Sequence, residues 1–67
     1  MPFVHIRMVA GRSQQQKDEI SQRVAGAISD VLRLPKEDIW VVFDDVAAGD
    51  WYVGDTTVAE IRKRPPK

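Results

Sequence analysis

The chain is 67 residues long, with ten Lys plus Arg against ten Asp plus Glu, a formal net charge of zero, no cysteine and one histidine, His5. These values exclude a disulfide framework, argue against a zinc site, and leave no basic footprint for nucleic acid or an anionic membrane. A chain this short buries only about 60% of its unfolded surface, so association with other copies is the remaining route to a stable core.

Residues 3–9, FVHIRMV, alternate as a strand, with Val4, Ile6 and Met8 on one face and Phe3, His5, Arg7 and Val9 on the other. Pro2 stands at its head, where proline is tolerated as a strand starter. Gly11 ends the strand. Ser13 followed by Gln16 has the form of a capping box, and Ile20, Val24, Ala27, Ile28, Val31 and Leu32 recur at helical spacing within residues 14–33. Pro35 is expected to stop this helix. The turn PKED then leads into IWVVF, residues 39–43, which is apolar at every position.

Strand, helix and strand in this order call for a parallel crossover. One helix covers one face of two strands, yet Trp40 and Val42 point opposite to Ile39, Val41 and Phe43. Other copies of the chain are the expected cover for that second face. After Asp45, Gly49 and Gly54 flank the run WYV, which reads as a loop with a small hairpin arm. Residues 62–67, RKRPPK, are expected to form a frayed tail on a single domain of residues 1–67. No apolar run approaches the ~18 residues of a membrane span, and the first strand is too polar for a secretory segment, so the expected location is cytoplasmic.

Three residues carry candidate chemistry. Removal of Met1 would expose Pro2 as a secondary amine, and a free α-amine titrates near 7.7–8.0 in reference peptides. An apolar pocket lowers such a value further, towards the range that suits a general base. Arg12, between Gly11 and the helix cap, offers a forked donor for a carboxylate beside a helix N-terminus. Trp51 offers an apolar pocket wall. Taken singly, each has an ordinary reading: strand starter, solvated loop cation, packing aromatic.

Together they form a pattern. Pro2 after Met1, the GRS of Gly11 to Ser13, QKDEI at the helix start, Pro35 before the second strand and the GDW of Gly49 to Trp51 resemble the tautomerase superfamily, in particular the 4-oxalocrotonate tautomerase family, over roughly residues 2–58. The resemblance implies an α+β fold, a β-α-β subunit with a C-terminal hairpin arm. Two subunits would form a four-stranded sheet with both helices on one face, assembled as a trimer of dimers, a hexamer. It implies a keto–enol tautomerase of small 2-hydroxydienoate or enol-pyruvate-like acids. Pro2 would be the general base, Arg12 of the same or a neighbouring subunit the carboxylate anchor, and Trp51 the aromatic wall, with no cofactor or metal.

Two departures redirect that expectation. The family's second arginine, which binds the keto acid end, is here Trp40, read either as a wall for a more apolar substrate or as interface packing. Arg7, on the same face, is read either as the replacement cation or as an intersubunit ion pair. Residues Tyr52 to Asp55 stand where the family often has a glycine-richer hairpin. Decarboxylation or hydration of a small 3-carbon acid by the same proline, with Asp38, Asp44, Asp45 and Asp50 standing near the relevant strand ends but none of them assigned a role, and a non-catalytic oligomeric binding module are the alternative functions.

Overall fold

The computed structural model describes residues 1–64. Strand β1 (Phe3–Val9) and strand β2 (Trp40–Val46) are joined by helix α1 (Gln14–Leu32), and the C-terminal arm holds strands β3 (Tyr52–Val53) and β4 (Thr56–Thr57) and helix α2 (Val58–Arg62). The fold is α+β, with two separate two-stranded sheets, β1-β2 and β3-β4.

Gly11 makes the exit from β1 possible, since its φ of 129° lies where side chains are disfavoured. The chain then enters α1 through a complete capping box. Ser13 Oγ accepts from the Gln16 N–H at 3.1 Å, and Gln16 Oε1 accepts from the Ser13 N–H at 3.0 Å. At its far end α1 closes on Arg33 in the left-handed conformation, with the Leu34 N–H donating to Ser29 C=O. That closure, one residue before the position Pro35 disfavours, ends the helix; Pro35 itself caps a 3₁₀ turn, Lys36–Asp38.

The two strands run parallel, with Phe3 opposite Trp40, His5 opposite Val42 and Arg7 opposite Asp44. The ladder continues past both strand ends, from Trp40 N–H to Pro2 C=O at 3.0 Å and from Ala10 N–H to Val46 C=O at 2.8 Å. Val4, Ile6, Met8, Val41 and Phe43 face α1 and are half-buried, whereas Phe3, His5, Trp40 and Val42 on the other face are exposed. Ile20, Val24 and Ile28 of the expected helix stripe are half-buried against the sheet. Ala27, Val31 and Leu32 are exposed. Nineteen helical residues span about 28 Å against about 23 Å for seven strand residues, so the last turn of α1 overhangs the sheet.

The second strand is longer than the apolar run 39–43 suggests. Ile39 lies just outside it, and Asp44 and Asp45 continue it, because each finds a cation: Arg7 across the register, and Lys17 at the start of α1. The arm differs too. Its hairpin turns at Gly54, φ 64°, the first of two turn residues as a type II′ turn requires. It is followed by a helix that the sequence reading leaves out. Thr57 caps α2 by accepting from the Glu60 N–H at 3.1 Å. The expected tail 62–67 starts inside this helix, and residues 65–67 lie outside the described residues.

The core of one chain is open. Among the described residues Ile39 alone is buried, at 7% exposure, while Phe3 is 60% and Trp40 54% exposed. The radius of gyration is 15.6 Å, against about 11 Å for a compact domain of this length.

Candidate active site

Pro2 and Trp40 lie together at the N-terminal end of the main sheet. Pro2 is half-buried, and the Trp40 N–H holds its carbonyl at 3.0 Å, so pairing with β2 fixes the backbone that carries the ring. Met1, by contrast, is 79% exposed. The Trp40 indole stands on the open face beside Phe3, its partner in register.

Arg12 and Trp51 lie at the opposite end. Gly11 turns the chain so that Arg12 is presented on the surface immediately before the capped N-terminus of α1. Arg12 makes no ion pair or side-chain hydrogen bond among the described residues. Trp51 follows the 3₁₀ turn Ala48–Asp50 and is half-buried, its carbonyl accepting from the Val58 N–H at 2.8 Å. That bond folds the arm back on the strand end. Trp51 and Tyr52 line a cleft of about 390 Å³ together with Arg7, Asp44, Val46 and Asp50.

The predicted residues therefore fall into two groups. Eight residue steps of extended chain separate Pro2 from Ala10, about 26 Å at 3.3 Å per residue. Within one chain Pro2 and Trp40 do not meet Arg12 and Trp51, which is wider than any small acid can bridge. The sequence reading names Trp51 but gives no role to Tyr52 or Val46 in the cleft wall, and it leaves Asp44 unassigned. The signal for Asp44 is the register, since a parallel β1-β2 pair with matched starts puts it opposite Arg7. A second depression of about 350 Å³ on α1, lined by Gln15, Gln16, Glu19 and Ile20, holds none of the predicted residues.

The family described as "Tautomerase enzyme" matches residues 2–61, beginning at Pro2 itself. The chain belongs to the tautomerase family. A probable tautomerase of Streptococcus agalactiae serotype III (strain NEM316) is 42% identical over 52 residues, covering 78% of this chain and 87% of the relative. Among solved structures, TomN, a 4-oxalocrotonate tautomerase homologue in the tomaymycin biosynthetic pathway, superposes with a TM-score of 0.87 at 28% identity, over 97% of this chain and 100% of its own. A heterohexamer 4-oxalocrotonate tautomerase from Chloroflexus aurantiacus J-10-fl does so with a TM-score of 0.83 at 29% identity, over 92% and 100%. This tautomerase is accordingly an isomerase with the 4-oxalocrotonate tautomerase fold. No helix among the described residues is long and apolar enough to cross a membrane.

Proposed function

We propose that this tautomerase interconverts keto and enol forms of small 2-hydroxydienoate or enol-pyruvate-like carboxylic acids without a cofactor, using the Pro2 amine as general base. The observation that carries the reading is the setting of Pro2: family similarity begins there, Met1 is exposed for removal, and the ring sits half-buried on a backbone fixed by Trp40. A free Pro2 amine takes the enol proton, the electron pair moves to form the carbonyl, and the same proton returns to carbon. The amine is regenerated unchanged.

Arg12 binds the substrate carboxylate through its free fork, in the favourable field of the α1 N-terminus. Trp40 and Trp51 are apolar walls that exclude water and keep the amine unprotonated. With about 26 Å between the two groups, this reading has one copy supply Pro2 and Trp40 and another supply Arg12 and Trp51. In this reading the protein is a homo-oligomer, a trimer of dimers in which the open face of β1-β2 is covered; a count of six subunits is supported by the heterohexamer that the Chloroflexus relative forms.

The test combines intact mass with an absorbance assay of enol acids, using Pro2→Ala as the comparison. The expected protein begins at Pro2 and loses about a hundred-fold or more in rate on substitution, the usual size of a general-base contribution. An active protein that retains Met1 in full, or a Pro2→Ala variant as fast as wild type, would refute the reading.

A further inference from the structure

The Arg12 side chain has no polar partner among the described residues, yet the short loop that carries it is tied down on both sides. Before it, the Ala10 N–H donates to the Val46 carbonyl at 2.8 Å and joins the end of β1 to the end of β2. After it, the Lys17 N–H donates to the Ser13 carbonyl at 3.1 Å, and Lys17 Nζ donates to Asp45 Oδ2. Asp45 and Val46 are consecutive residues of β2. The loop from Ala10 to Ser13 is therefore held at both ends by one pair of neighbours on the same strand.

Helix formation alone does not account for Lys17. A cation in the first turn opposes the helix dipole, and the first turn of α1 contains no acidic residue to offset it. Its partner comes from the sheet instead. The Lys17 and Asp45 side chains are 18% and 37% exposed, against 43–79% for members of the other ion pairs among the described residues. Water screens this pair least, so it holds its geometry better than an open surface pair does. The loop itself contains Gly11, a residue with little conformational restraint of its own. The ties at its ends decide where Arg12 stands.

We propose that Lys17 and Asp45 are positioning residues for substrate binding, their ion pair fixing the loop that presents Arg12 to the substrate carboxylate. The inference rests on Arg12 as the carboxylate anchor. A forked donor engages a carboxylate through two parallel bonds, which demands a defined approach. A loop fixed before the acid arrives removes an ordering cost from binding. Neither Lys17 nor Asp45 moves a proton, so the pair acts on KM and leaves the proton transfer at Pro2 unchanged.

The test measures kcat and KM for ketonisation of an aryl enolpyruvate, and Ki for benzoate as a non-reacting carboxylate. The variants are Asp45→Asn, Lys17→Met, Lys17→Arg, Arg12→Ala and the Arg12→Ala/Asp45→Asn double variant, with sedimentation velocity on each. Asp45→Asn and Lys17→Met should each raise KM and Ki about three- to tenfold, the size of coupling that contacting residues show. The value of kcat should stay within about twofold, as expected for a loss of binding alone. Lys17→Arg keeps the charge and should restore most of the affinity. With Arg12 already replaced by alanine, Asp45→Asn should raise KM no further, because no fork remains to be positioned. Unchanged KM and Ki in Asp45→Asn and Lys17→Met would overturn the proposal, as would a fall in kcat alone or an Asp45→Asn effect that persists in full without Arg12. A raised KM that follows dissociation, and vanishes at concentrations that restore assembly, would overturn it too. If Arg12→Ala itself leaves KM and Ki unchanged, the anchor reading fails first.

Discussion

Val42 lies in the middle of the open sheet face, 43% exposed, opposite His5 and outside the lining of the cleft. Complete burial of a valine is worth about 1.5–3 kcal/mol, so covering its exposed fraction contributes roughly 1 kcal/mol per subunit. An unpaired charge placed in the same face adds a desolvation penalty of several kcal/mol. Together these amount to about 4 kcal/mol per subunit, nearly a thousand-fold in the association constant, and a two-fold interface contains the substitution twice. Val42→Asp and Val42→Lys are both made, because an effect common to the two signs of charge reports the covering of the face rather than a new pairing with His5 opposite in register or with Asp44 two residues on. Sedimentation velocity should show the wild type assembled at micromolar concentration and both variants dissociated, with wild-type Tm rising with concentration. Gln22→Asp on the exposed side of α1 should leave the mass unchanged. Variants of Val42 with wild-type mass and Tm would refute the claim that this face is the covered one.

Further outcomes follow from the site. Arg12→Ala should raise KM about ten- to a hundred-fold with little change in kcat, as expected when charge-assisted bonds to a carboxylate are lost; steady-state kinetics on an enol acid checks it. Trp40→Arg, which restores a donor at the sheet end, should increase kcat/KM for a dicarboxylic enol acid relative to a monocarboxylic one, measured by competition between the two. Ser13→Ala removes one arm of the capping box and should cost about 1 kcal/mol, seen as a fall in Tm at fixed protein concentration.

Much of this architecture is legible in the sequence because local signals agree. The period-two pattern gives β1 over 3–9, and Ser13 with Gln16 marks the start of α1. The apolar run IWVVF announces β2 but hides its length. Asp44 and Asp45 look like a strand end, and only the register to Arg7 and the proximity of Lys17 explain why the strand continues through them. Helix α2 has a readable signal in Thr57 and Glu60, three residues apart, but its five residues are too few for an apolar period. Val31 obeys the helical period yet remains exposed at 79%, because periodicity reports direction and not how far the underlying sheet extends.

The candidate site is legible in a different way. Pro2, Arg12, Trp40 and Trp51 can each be singled out from residue chemistry and resemblance, but their separation into two groups depends on which strand ends carry them. The Arg7 and Asp44 pairing also needs the register, since nothing in their sequence positions, 37 residues apart, links them.

The central claim is that the working base is the free amine of Pro2, and the most direct measurement changes that amine alone. Protein prepared with Met1 retained, by inhibiting methionine aminopeptidase in the expression host, keeps every side chain but converts the Pro2 nitrogen into a non-basic amide. Activity on an enol acid should be absent in that protein and should appear in proportion to the fraction of chains beginning at Pro2 as an aminopeptidase removes Met1. Equal activity before and after removal would contradict the account.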